Sequence, residues 1–217
     1  MIENLPKQCA LILSKGIDEL KLSVTTDQQL LLLQYIALLL KWNKAFNLTA
    51  IREPEAMIVR HILDSLAVSA HLHGENIIDV GTGPGIPGIP LAIIFPNRRF
   101  TLMDSNGKKV RFMEQAKQSL AIGNFIPIQH RVESFKSVEK FDSVISRAFT
   151  SLEQMVEMTQ HLVKETGLMQ AMKGQAQESS LVVETWEIVE TIPLKVPGLD
   201  EQRHLINIKK KVNIKNI

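Results

Sequence analysis

The stretch from Asn76 to Pro90 does most to restrict how this chain can fold. It reads Asn-Ile-Ile-Asp-Val-Gly-Thr-Gly-Pro-Gly-Ile-Pro-Gly-Ile-Pro, a run of strand formers that enters a glycine-crowded turn and leaves it as an apolar helix. Ile77, Ile78 and Val80 suit a buried strand. Gly81, Gly83 and Gly85 permit positive φ and let a ligand approach backbone that a Cβ would shield. A strand joined to a helix through such a turn belongs to a parallel α/β sheet, and the turn can hold a nucleotide-like ligand.

Two registers of the turn imply different ligands. Gly83-Pro-Gly-Ile-Pro-Gly88 matches the dinucleotide pattern G-x-G-x-x-G, whose glycines bring a pyrophosphate to a helix N-terminus. Asp79, two residues before Gly81, argues for the other register. A carboxylate there repels a pyrophosphate but suits a ligand with an ammonium group and no phosphate. S-adenosylmethionine is such a ligand, and Asp79-Val-Gly-Thr-Gly-Pro-Gly85 looks like the first motif of class I methyltransferases.

The length of 217 residues suits one α/β unit with an extension, here residues 1–72 as an N-terminal helical cap and 73–217 as the sheet-bearing domain. Cys9 is the only cysteine, which excludes an internal disulfide and a cysteine-based metal cluster, and no metal is expected. Glu3 and Lys7 near the N-terminus do not suit a secretory signal, and the apolar run Leu30 to Leu40 is too short for a bilayer. A cytoplasmic protein without membrane contact is expected. The formal charge of +2 means that any nucleic-acid role rests on local patches.

Taken in order, Thr26-Asp-Gln-Gln29 fits a capping box before a leucine-rich helix that ends near Trp42, and Pro54 opens a helix to about Leu72. Between them Lys41 to Arg52 mixes cations, amides and aromatics: either a solvated helix end, or an RNA surface with Lys44 and Arg52 on phosphates. His61, Asp64 and Ser65 share a helical face by spacing. Within one turn they cannot form a hydrolase triad, so local hydrogen bonds are expected, or Arg60 and His61 facing a ligand cleft or RNA.

Pro90 to Phe95 reads as a helix and Arg99 to Asp104 as the second strand, placing Asp104 where a carboxylate can accept from both ribose hydroxyls. Dehydrogenases use the same device. Asn106 to Ala121 is an amphipathic helix, Phe125 to His130 a third strand, and Val132 and Glu133 follow it at an adenine's edge. Phe141 to Arg147 is the fourth strand; Arg147 is a surface residue, or it anchors a methionine carboxylate or the incoming base. Then come a helix Leu152 to Lys164, a strand Gly167 to Lys173, a helix Ala176 to about Glu187, and a terminal strand pair, Ile188 to Val196 and Arg203 to Lys211. The alternation implies a doubly wound, mostly parallel sheet of about seven strands. Lys209, Lys210, Lys211 and Lys215 form a basic end.

Trp42-Asn43, Asn47-Leu-Thr49, Arg60 to Leu66, Asp79 to Leu91, Leu102 to Ser105, Ser146-Arg-Ala148 and Lys173-Gly174, in this order, resemble the RsmG family, also called glucose-inhibited division protein B. The resemblance implies a class I, Rossmann-like methyltransferase that uses S-adenosylmethionine to methylate N7 of one guanosine in bacterial 16S rRNA, free or in the small ribosomal subunit. It implies cofactor contacts at Gly81, Ile86, Val132, Glu133 and Arg147, to which the residues themselves add Asp79, Thr82, Gly83 and Asp104. Thr82 stands where many members have serine, Lys109 where they have arginine, and Ile86 where Phe or Leu is common. A monomer is expected. The chemistry agrees: guanine N7 carries an unprotonated lone pair, so no catalytic base is obligatory. The sequence also lacks the Asn/Asp-Pro-Pro-aromatic motif for exocyclic amines.

Overall fold

The computed structural model describes residues 5–147, 149, 151–174 and 183–211. Two helices open this part, α1 Lys7–Glu19 and α2 Thr26–Phe46. The capping box of α2 is built one residue earlier than expected: Thr25 Oγ1 accepts from Gln28 N at 3.2 Å and Gln28 Oε1 accepts from Thr25 N at 2.9 Å. Thr25 is the residue with extended backbone, so it, not Thr26, can turn its hydroxyl back onto the first turn.

The third helix, α3, is composite. An α turn, Pro54–Met57, passes into a π segment, Ile58–Leu63, and returns to α at Asp64–Leu66. Asp64 N reaches back five residues to Val59 O, so side chains after the wide turn are rotated away from simple i+3 and i+4 alignment. The helix expected to reach Leu72 stops at Leu66; Ser69–His71 is a single 3-10 turn and Leu72 is extended.

Seven strands follow: β1 Asn76–Val80, β2 Arg99–Asp104, β3 Phe125–Gln129, β4 Phe141–Ser146, β5 Val163–Lys173, β6 Trp186–Leu194 and β7 Arg203–Lys210. Their order is β3-β2-β1-β4-β5-β7-β6. The first five are parallel, and β7 runs antiparallel to both β5 and β6. Helices α4 Gly88–Ile94, α5 Gly107–Ser119 and α6 Leu152–Thr159 connect the parallel strands.

Alternating strand residues feed two separate cores. Ile77, Leu102, Ile145 and Leu205 pack with α1 to α5 on one face, while Ile78, Met103, Val144 and Ile206 pack with α6 on the other. The N-terminal helices thus share a continuous core with the sheet. Strand order reverses between β1 and β4, so the crevice beyond their carboxyl ends is the natural ligand site.

Three expected boundaries move. Helix α6 ends at Thr159, not Lys164, because the chain turns there, Leu162 N donating to Thr159 O, and Val163 already belongs to β5. Trp186 and Glu187, expected to end a helix, begin β6 instead. The rest of that expected helix falls mainly on residues 175–182, outside the described residues, as does Lys215. Among the described residues no helix is long and apolar enough to cross a membrane.

Candidate functional site

The glycine turn is held from three sides. Gly81 N and Thr82 N donate to Met103 O of β2 at 2.9 and 3.1 Å. From the helical layer, buried Tyr35 of α2 donates its hydroxyl to Pro84 O at 3.0 Å. From β1, Asp79 Oδ2 accepts from Thr82 Oγ1 at 2.5 Å and from Gly88 N at 2.9 Å.

Asp79 is fully buried and its Oδ1 has no hydrogen-bond partner among the described residues. Burial raises its pKa to about 7, outweighing the hydrogen bonds from Thr82 and Gly88 and the field of Arg147, all of which favour the anion. The carboxylate is turned into the loop and lines none of the cavities described below. It shapes the turn rather than reaching out of it.

Two glycines have different structural duties. Gly83 has φ +65°, and a Cβ on it would meet nothing within 4 Å, so its α-carbon faces open space at the mouth of the turn. A Cβ on Gly88 would lie 2.1 Å from Leu102 Cδ2, so Gly88 lets α4 pack on β2.

Asp104 ends β2 as expected and is tied to the turn: Oδ2 accepts from Gly83 N at 2.9 Å and from Lys109 Nζ at 3.3 Å, while Oδ1 accepts from Asn106 N at 2.9 Å. With Gly81, Met103, Val132 and Glu133 it lines a cavity of about 410 Å³. The 3-10 turn Val132–Ser134 places Val132 buried and Glu133 exposed on that wall.

A second, smaller cavity of about 180 Å³ adjoins at Gly81. It is lined by Thr82, Gly83, Ile86, Arg147, His61 and Thr49 among others. His61 is 3% exposed, and its Nε2 lies 2.9 Å from Thr49 Oγ1. Burial, aided by Arg147, lowers its pKa to about 4, so it is neutral near pH 7. His61 therefore does not share the outer surface with Lys44 and Arg52, which are both exposed.

A third cavity, of about 310 Å³, adjoins at Arg147 and includes Arg60, Asp64, Lys173 and Arg203. Asp64 was expected to bond locally. Its oxygens instead accept from Arg147 Nη1 at 2.9 Å and Arg203 Nε at 3.2 Å, contacts set by tertiary structure alone. Only Ser65 keeps the expected local bond, to His61 O. Arg60 is half-exposed and ion-paired with Glu201.

Residues 28–206 match the family described as GidB, rRNA small subunit methyltransferase G. The chain belongs to this family. Among the relatives of this rRNA small subunit methyltransferase G family, a protein of that name from Shewanella woodyi is 50% identical over 92% of this chain and 98% of its own length. Another from Alteromonas mediterranea is 50% identical over 92% and 96%. Solved structures share the fold at low identity. A ribosomal protein L11 methylase from Lactobacillus delbrueckii superposes with a TM-score of 0.54 at 15% identity, over 69% of this chain and 77% of that one. A methyltransferase from Thiobacillus denitrificans, solved with S-adenosyl-L-homocysteine, gives 0.50 at 10% identity, over 69% and 90%. The sheet is therefore that of a class I, Rossmann-like methyltransferase.

Proposed function

We propose that this chain transfers the methyl group of S-adenosylmethionine to N7 of one guanosine in bacterial 16S rRNA. Membership of the GidB family carries the coarser part, methylation of small-subunit rRNA. The observation that supports the finer mechanism is the row of three adjoining cavities at the carboxyl ends of the strands, the first two sharing Gly81 and the last two sharing Arg147.

The residues fit the cofactor. Asp104 would accept the ribose hydroxyls, Val132 would pack on adenine and Glu133 would meet its amino edge. Gly81, Thr82, Gly83 and Ile86 would wall the methionine arm, for which the open face of Gly83 leaves room. Asp79 positions the turn, and Arg147 stands between the methionine end and the acceptor. When bound, the cofactor supplies an electrophilic methyl on a sulfonium. Guanine N7 attacks with an in-plane lone pair and releases no proton, so the side chains need only align the reactants and tolerate the cationic product. A neutral His61 adds no opposing charge there.

The same reading has a cytoplasmic monomer acting on free 16S rRNA or on the small subunit, with Lys44, Arg52 and Arg60 contacting RNA. The test is transfer of labelled methyl from S-adenosylmethionine to 16S rRNA or small-subunit particles from cells lacking this protein. Incorporation at one guanosine, with strand scission there after borohydride and aniline, is expected; no incorporation into either substrate overturns the proposal. A thermal shift by S-adenosylhomocysteine but not by NAD separates this from the dinucleotide register.

A further inference from the structure

The third cavity joins chemistry from four elements: Arg60 and Asp64 of α3, Arg147 after β4, Lys173 ending β5 and Arg203 opening β7. Strands β4 and β7 are not neighbours, since β5 lies between them. Asp64 bridges them nonetheless: its carboxylate, with its side chain only 4% exposed, accepts from both arginines. Arg147 Nη1 also donates to Arg60 O at 3.1 Å. Each guanidinium is thereby held through only part of its donor set: Arg147 through Nη1, Arg203 through Nε and through Nη1, which donates to Gln202 O at 2.8 Å. Among the described residues, Nε and Nη2 of Arg147 and Nη2 of Arg203 carry no hydrogen bond. Lys173 Nζ, donating to Phe149 O at 2.9 Å, stands between the two arginine-bearing strands.

This arrangement has a chemical preference. Among the described residues Asp64 is the single acid on a wall that also carries Arg147 and Arg203, so two guanidinium groups share one carboxylate and the surplus is cationic, which suits an anion. Met172 and Leu194 give the same wall an apolar part, against which a base can lie. A volume of about 310 Å³ is the scale of a small-ligand pocket. Its shared boundary with the second cavity is Arg147.

We propose that the third cavity seats the acceptor guanosine of the RNA, with an adjoining phosphate on Arg203 and Lys173, and that Asp64 is the positioning residue that aims both arginines. This rests on the methyl-transfer reading above. Asp64 contributes no proton and touches no reacting atom. It fixes where two cations stand, so that the base enters with N7 toward the cofactor side of Arg147.

The test measures methylation of undermodified small-subunit particles together with S-adenosylhomocysteine affinity by calorimetry. Arg203→Gln is expected to raise KM for the particle tenfold or more while the Kd for S-adenosylhomocysteine stays within twofold, and Arg203→Lys is expected to recover part of the loss. Lys173→Gln, on a different strand, is expected to raise KM severalfold, and it decides the matter should Arg203→Gln fail to fold. Asp64→Asn is expected to raise KM in the same direction. An unchanged KM in the folded variants overturns the proposal while leaving the methyltransferase reading intact. Equal loss of S-adenosylhomocysteine affinity overturns it too, by assigning the cavity to the cofactor. A wild-type protein that transfers no methyl overturns the reading beneath it.

Discussion

Gly83 and Gly88 lie five positions apart in one turn, yet replacing each by alanine should fail in different ways. At Gly83 the new methyl enters open space, so the cost is that of holding alanine at φ +65°, about 1 kcal/mol, while the methyl intrudes on the cradle. Gly83→Ala is expected to fold and to bind S-adenosylhomocysteine at least tenfold more weakly in calorimetry. Gly88→Ala forces Leu102 and α4 to shift, costing about 1–3 kcal/mol and several degrees in Tm. Asp79 offers a pH signature. Its folded pKa of about 7 lies above the ordinary carboxylate value of about 4, so its contribution to stability is full below pH ~4 and is lost as pH rises to 7. Asp79→Asn cannot titrate. The Tm of the variant minus that of the wild type should therefore rise from pH 5 to pH 8, by several degrees for a term on the order of 2 kcal/mol; a difference independent of pH refutes the buried-charge account. Asp79 and Asp104 were legible because a strand and a glycine turn announce them. Asp64 was not, since both its partners arrive from distant strands. The available signal was its setting: an acid among Ile62, Leu63 and Leu66 on a buried helix face requires a cation from elsewhere.

Elements are joined as much by side-chain amides as by apolar packing. Gln28 closes the capping box of α2 and also donates its Nε2 to Ile93 O and Ile94 O, at 3.0 and 3.3 Å, where α4 leaves its last carbonyls without intrahelical partners. Gln28→Ala removes both functions and is expected to lower stability by about 1–3 kcal/mol, read as a lower urea midpoint with an unchanged m value. Gln28→Glu keeps the acceptor for Thr25 N but lacks the amide donor, so a loss confined to the α4 contact should remain. The existence and order of helices and strands followed from apolar periodicity. Their ends did not. Helix α6 looked longer because Leu162 and Val163 continue its apolar pattern, but they pack in the same core as the start of β5. The π segment of α3 is equally silent in sequence: Leu63 within it packs against Gly16 of α1, a tertiary contact that no local pattern announces.

At the scale of the whole molecule, the surfaces proposed for cofactor and for RNA draw on different layers of the fold. The residues proposed to hold the cofactor lie at or follow the ends of β1, β2, β3 and β4, whereas Lys44 and Arg52 stand exposed around the end of α2. Phe46 is exposed beside them, its ring 5.2 Å from that of Trp42. The seven-stranded, doubly wound architecture was legible because alternating strands and helices leave few ways to bury both faces of a parallel sheet. The path of RNA across the surface was not, because solvated cations and RNA-binding cations look alike in one chain. Phosphate contacts carry a distinguishing mark in their salt dependence. If Lys44 and Arg52 each neutralise one phosphate of a single-stranded segment, replacing both with alanine should make the slope of log K against log salt shallower by about 1.4. S-adenosylhomocysteine affinity should be unchanged in that double variant. Asp104→Ala should do the reverse, weakening the cofactor analogue and leaving the slope alone. Binding measured across a salt series decides: an unchanged slope in the double variant moves the RNA path off the end of α2, toward the cationic wall shared by α3, β5 and β7.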